Sequence, residues 1–269
     1  MSEEWLQAGG LRARHAGPTA PRGLPLALLH GMGGGAWVWD RMQAWLAERG
    51  RSSYALELPG HGLAAREPVM QYTLADYVKL TAEALAALPN AYLIGHSMGG
   101  LIAQGVAAIR PAPGYVFMCS APPWHMFRPA YKRMWGMAMQ RPDWLLRGAL
   151  GQPILWPDRI QAALLEKYLT PEWRTVARAR TVPESGLAVR DMAFGLGVNT
   201  RRRLDSPCAV LAATDDRMLP SGEQKRLAQY YNCELELLPG GHMLPLEKGG
   251  EAATAWLDAW CSKIEKTKT

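Results

Sequence analysis

The 269 residues, 48% hydrophobic and 20% charged, have the composition of an ordinary folded protein, which excludes a disordered or collagen-like chain. The start Met1-Ser2-Glu3-Glu4 is acidic where a signal peptide is basic, and no apolar run reaches the roughly 18 residues that cross a bilayer, so a cytoplasmic protein with no membrane span is expected. The formal net charge of +6 accompanies no recognisable base-reading motif, so nucleic acid is not an expected partner.

Along the chain, Glu4 to Ala8 and Leu11 to His15 flank Gly9-Gly10, a hairpin signal that gives the sheet an antiparallel beginning. Segments rich in β-formers then alternate with helical patterns: Leu24 to Leu29, Ala36 to Arg49, Ser53 to Leu58, Thr73 to Leu88, Ala91 to Gly95, Met98 to Arg110 and Gly114 to Cys119. This alternation predicts a mostly parallel central sheet flanked by helices. Cys119 and Cys208 fall in apolar runs, where a reduced thiol behaves as a small hydrophobe.

The turn after the first parallel strand reads His30-Gly31-Met32-Gly33-Gly34-Gly35. Its glycines suit backbone that lies close to a substrate, and Met32 N–H is a candidate oxyanion donor. A phosphate-binding loop is the rival reading, but neither G-x-G-x-x-G with an acidic partner nor the Lys-Ser/Thr of a P-loop is present. His61, in Leu58-Pro59-Gly60-His61-Gly62, reads as a loop histidine.

Gly95-His96-Ser97-Met98-Gly99 is G-x-S-x-G between a strand and a helix. Glycines on either side of a sharp strand-to-helix turn let the serine sit strained and exposed. Ser97 is therefore the candidate nucleophile. Met98 N–H, at the start of the following helix, is the other oxyanion donor, because helix N-termini present unpaired amides and a positive dipole end.

Residues 122–203 carry no good strand pattern but several helical ones, which predicts an inserted helical cap between two core segments, 1–121 and 204–269. Trp124, Met126, Trp135 and Met139 are candidates for an apolar pocket wall, as is His125 at the junction with the sheet; the alternative is that these side chains form the cap's own core. Residues 121–203 hold 14 Lys and Arg against 6 Asp and Glu, either a solvated helical face or a docking surface for an acidic carrier or coenzyme A.

The sheet pattern resumes with Cys208 to Ala213, a helix over Ser221 to Tyr231, Glu234 to Leu238 and a helix over Pro245 to Ile264. His242, in the loop after the last strand, lies at the carboxyl edge where open parallel sheets build their sites, and is the candidate base. Asp215 and Asp216 follow the strand before it. One of them would orient the imidazole and stabilise it when protonated. His30 and His96 abut the two turns and would brace them.

The order Ser97, Asp216, His242, with Leu58-Pro59-Gly60-His61-Gly62 and Pro239-Gly240-Gly241-His242, resembles the α/β-hydrolase superfamily over nearly all of residues 4–264. The resemblance implies an α/β-hydrolase fold and a Ser-His-Asp triad. The family's G-x-x-D-x-x-x-P stretch, here with Ala213 for Gly, picks Asp216 as the acid. Gly35-Ala36-Trp37-Val38-Trp39 is also similar to plant methyl esterases and bacterial carboxylesterases.

The expected activity is hydrolysis of a carboxylic ester with an apolar acyl group, or of a small ester, through an acyl-enzyme, with no metal and no cofactor. A thioesterase acting on acyl-CoA or an acyl carrier is one alternative. A non-catalytic small-molecule receptor on the same fold is another.

Overall fold

Gly9-Gly10 turns the chain between β1 (Glu4–Ala8) and β2 (Leu11–Ala16), paired antiparallel with Ala8 opposite Leu11. The structure, a computed structural model, describes residues 4–64, 71–126, 142–155, 161–162, 166–200 and 203–267. The core strands follow as β3 (Leu26–Leu29), β4 (Ser53–Glu57), β5 (Tyr92–His96), β6 (Tyr115–Met118), β7 (Cys208–Ala213) and β8 (Glu234–Leu238). They form one eight-stranded sheet in the order β1-β2-β4-β3-β5-β6-β7-β8. Only the β1–β2 and β2–β4 pairs are antiparallel.

Helices lie on both faces, as a sheet buried on both sides requires. On one face α2 (Leu74–Ala87), α3 (Met98–Ile109) and α7 (Ser221–Tyr231) bury Tyr77, Ile102 and Leu227 against Leu93, Phe117 and Val210. On the other, α1 (Asp40–Glu48) and α8 (Gly250–Thr267) bury Met42, Leu46, Leu257 and Trp260 against Leu28, Ile94 and Leu211. The α1 region begins with a 3₁₀ turn, Ala36–Trp39, that buries both tryptophans. Thr73 and Asp76 form a reciprocal capping box that starts α2.

Between β6 and β7 the described residues add no strand to the sheet. They contain α4 (Pro142–Ala149), α5 (Pro171–Arg180) and α6 (Gly186–Phe194), with an antiparallel bridge between Ile154 and Glu184. Among the described residues, no helix is long and apolar enough to cross a membrane.

Two expectations shift. The last helix begins at Gly250 rather than Pro245, because residues 243–250 close turns instead, with Leu246 N–H on Met243 O at 2.8 Å and Gly250 N–H on Glu247 O at 3.0 Å. Cys119 lies one residue past β6 with φ 42°, so it turns the chain rather than extending the strand. Cys208 and Cys233, distant in sequence, meet side by side where β7 and β8 begin, with their thiols in contact.

Candidate active site

The chain steps from β3 to β4 on one side and then back past β3 to β5 on the other, so the direction of winding reverses and opens a crevice between the carboxyl ends of β3 and β5. Ser97 is the first residue past β5, with φ 57° and ψ −119°, a conformation that costs a non-glycine residue energy and aims its side chain off the sheet. Two flanking glycines permit it. A Cβ on Gly95 would stand 2.2 Å from Gly99 O, and one on Gly99 would stand 2.3 Å from His30 O.

Ser97 Oγ lies 3.0 Å from His242 Nε2, and His242 Nδ1 lies 2.8 Å from Asp216 Oδ2. Asp216 is buried, and its other oxygen accepts from the Met218 and Leu219 amides, both at 2.8 Å. With Nδ1 donating to this fixed carboxylate, Nε2 is placed to accept a hydrogen bond from the Ser97 hydroxyl. Asp215 faces away: it accepts from Lys167 and Tyr168, and the lysine's hydrogen bond lowers its pKa.

The neighbouring histidines are braces. His96 donates through Nε2 to the carbonyl of His242 at 2.7 Å. His30 donates through Nδ1 to Gly31 O at 2.8 Å and accepts the Leu58 amide at 3.1 Å. Burial, helped by the adjacent His242 and His61 respectively, lowers each to about 3, so both are neutral at ordinary pH.

Met98 heads α3, where a helix leaves its amides without intrahelical partners. Met32 lies in the turn closed by Gly34 N–H on Gly31 O at 3.1 Å. Both methionines and Ser97 line one cavity of about 440 Å³, whose wall is overwhelmingly apolar.

Residues 26–255 match the Alpha/beta hydrolase family. The chain belongs to that family. One relative, the dihydrolipoyllysine-residue acetyltransferase component of the acetoin cleaving system of Pseudomonas putida, is 28% identical over 265 residues, 90% of this chain and 62% of that protein. Another, Methylesterase 7 of Arabidopsis thaliana, is 34% identical over 110 residues, 39% of this chain and 42% of its own length. Each match thus spans less than two thirds of the relative. A solved methylesterase protein from Arabidopsis superposes with a TM-score of 0.70 at 17% identity, covering 89% of this chain and 99% of that one, and so shares the fold.

In this alpha/beta hydrolase the cavity wall differs from the sequence expectation. Trp124, His125 and Met126 form a 3₁₀ turn that does not line the cavity. Trp124 is 41% exposed and packs over Gly195, where a Cβ would stand 2.3 Å from its ring, while His125 packs on the Tyr230 ring at 5.3 Å. Trp135 and Met139 lie outside the described residues. The wall comes instead from Trp37, Trp144, Ile154, Val189, Met192 and Phe194.

His61 lies in a loop as expected, but it is wholly buried and paired with Glu184 at 3.0 Å, which the sequence did not show. Burial alone would lower its pKa, but the Glu184 carboxylate and the Pro59 carbonyl, at 2.9 Å from Nδ1, raise it. Both ring nitrogens face oxygen acceptors, Pro59 O and the Glu184 carboxylate, the arrangement a protonated imidazole satisfies. Glu184, whose burial alone would raise it, is held low by His61 and by the Ser185 and Gly33 amides.

Glu247, equally unforeseen, accepts the Gly241 amide at 2.6 Å beside His242, while its other oxygen has no hydrogen-bond partner among the described residues. Burial pushes it up to about 7. No motif announced either acid; a lone Glu in a polar stretch carries no sequence signal.

Of the seven Lys and Arg described within residues 121–203, four are in ion pairs. Lys167 meets Asp215, Arg178 meets Glu166, Arg180 meets Asp40 and Arg190 meets Asp191.

Proposed function

We propose that the protein hydrolyses a carboxylic ester with an apolar acyl group, or a small ester, with Ser97 as nucleophile, His242 as general base and acid, and Asp216 as the acid that orients it. The observation that carries the reading is the continuous hydrogen-bonded chain from Asp216 through His242 to Ser97 Oγ, opening on an apolar cavity. The methylesterases among its relatives agree with ester chemistry.

Ser97 Oγ attacks the carbonyl carbon while its proton passes to His242 Nε2. The imidazolium that forms is stabilised by the buried Asp216 carboxylate, which does not itself take the proton. The carbonyl oxygen becomes an oxyanion received by the Met32 and Met98 amides, each worth roughly 3 kcal/mol in the transition state. His242 then returns the proton to the leaving alcohol. Water enters and gives a proton to His242 as its oxygen attacks the acyl carbon; His242 then returns that proton to Ser97 Oγ as the acid is released. None of these steps draws on a metal or an organic cofactor.

The region between β6 and β7 acts in this reading as a cap, helping to close an apolar wall over Ser97 so that the oxyanion forms away from bulk water. The test is mass-spectrometric mapping of a fluorophosphonate label. Modification at Ser97 that disappears in Ser97→Ala and His242→Ala supports the reading; a folded protein with an open pocket and no label on Ser97 overturns it in favour of a receptor.

A further inference from the structure

Outside the triad and near the cavity, Glu184 accepts four hydrogen bonds through its carboxylate. It lies 151 residues from Gly33, 123 from His61 and 107 from Tyr77, yet its carboxylate gathers all three. Oε2 accepts the Gly33 amide at 3.1 Å and His61 Nε2 at 3.0 Å; Oε1 accepts the Tyr77 hydroxyl at 2.9 Å and the Ser185 amide at 2.8 Å. The side chains of Glu184 and His61 are both fully buried. A buried carboxylate with four donors is fixed in place, because losing any one of them leaves a desolvated charge short of a partner.

What it fixes is the turn assigned to the oxyanion. The Gly31–Met32 peptide, which carries the Met32 N–H, is gripped at its carbonyl by His30 Nδ1 at 2.8 Å and Gly34 N–H at 3.1 Å. The next peptide, Met32–Gly33, is gripped by Glu184 at its N–H, and Gly33 O accepts Val182 N–H at 3.0 Å. Two residues of the segment between β6 and β7 thus hold the turn from outside. That segment is in turn fastened to its own Ile154 through two 2.8 Å backbone bonds at Glu184.

Charge balance fits the same role. A bare carboxylate one residue from an oxyanion donor would oppose the negative charge of the transition state. His61, its two nitrogens facing Glu184 and Pro59 O, offsets that charge when it carries both protons.

We infer that Glu184 is a positioning residue for the reaction, holding the Gly33 amide so that the preceding peptide presents Met32 N–H to the oxyanion, and tying that presentation to the docking of the cap. The inference rests on the serine-hydrolase reading above. It implies that Glu184 acts on the transition state and hardly on ground-state binding, since its oxygens face the turn rather than the substrate.

The test compares wild type with Glu184→Gln, using hydrolysis of 4-nitrophenyl butyrate and inhibition by an alkyl trifluoromethyl ketone, which adds Ser97 reversibly to give an oxyanion. The amide keeps an acceptor but brings two donors to a site that already has four. In the folded variant kcat should fall about 30-fold or more with KM within about twofold, and affinity for the ketone should weaken by the same factor as kcat.

If Glu184→Gln does not fold, Tyr77→Phe removes one donor from the carboxylate and should show the same pattern at about 3- to 10-fold. Unchanged kcat and ketone affinity, or a loss confined to KM, overturns the inference while leaving the hydrolase reading standing. A wild-type protein that carries no fluorophosphonate on Ser97 overturns both, and is read in a separate arm.

Discussion

At the residue scale the two adjacent aspartates part company through their surroundings. Asp216 is buried against His242 and two amides, whereas Asp215 is half-exposed against Lys167 and Tyr168. Asp216→Asn should lower kcat for an aryl ester by about a thousandfold or more, because an amide no longer enforces the tautomer that leaves Nε2 free to accept. Asp215→Asn should stay within about threefold. Equal losses in the two variants would refute the assignment.

Glu247 gives a pH signature of its own. Its folded pKa is raised from 4.5 to about 7, so the native state holds a proton that the unfolded chain has already released. The stability this contributes is fully present below about pH 4.5 and is lost as pH rises through about 7, a swing of roughly 3 kcal/mol at most. Urea unfolding midpoints should therefore fall more between about pH 5 and about pH 8 in wild type than in Glu247→Gln, which cannot titrate. Parallel midpoints would sink the idea.

At the scale of the element, local chemistry set most of the boundaries. Cys208–Ala213, Ser221–Tyr231 and Glu234–Leu238 form over the residues expected, because each is a short apolar or amphipathic run between turn residues. Gly9-Gly10 makes its hairpin for the same reason. Thr73 starts α2 by accepting the Asp76 amide at 3.1 Å while Asp76 accepts the Thr73 amide at 2.8 Å. Thr73→Ala should cost about 1 kcal/mol in thermal or urea unfolding and leave kcat alone. A loss of activity without a loss of stability would show that α2 does more than support the sheet.

What local pattern could not show was anything made by contacts remote along the chain. The start of α8 was read too early because Glu247, in a helical-looking stretch, is drawn to Gly241 instead. Nothing marked the loop residue His61 as half of a buried pair, because its partner Glu184 is 123 positions away. Trp124 looked like pocket wall because it is aromatic and near the cap, yet α6 ends in a glycine that takes its ring elsewhere.

Over the whole molecule, the nucleophile turn and the histidine loop were legible because glycines and a serine at fixed spacing announce backbone strain. The cavity was legible only in character, since its wall is assembled from α4, α6 and the Ile154 segment, whose side chains obey no shared motif. Val189 on α6 faces this cavity. Val189→Phe should cut kcat/KM for a hexanoate ester by about tenfold or more and for the acetate by less than about threefold, as a filled apolar pocket discriminates by length. Equal effects on both esters would place the acyl group elsewhere.

The proposed triad also spans the sheet unevenly. Ser97 stands at the end of the central β5, while His242 is carried by the loop after β8, the outermost strand, 145 residues further along. During synthesis at roughly 5–20 residues per second, the serine is therefore made some 7 to 30 s before its base exists. In that interval Ser97 is an ordinary hydroxyl. Under the proposed mechanism, a nascent chain paused before β8 would form much of its sheet and yet react with no ester, and reactivity would appear only once the His242 loop had been made.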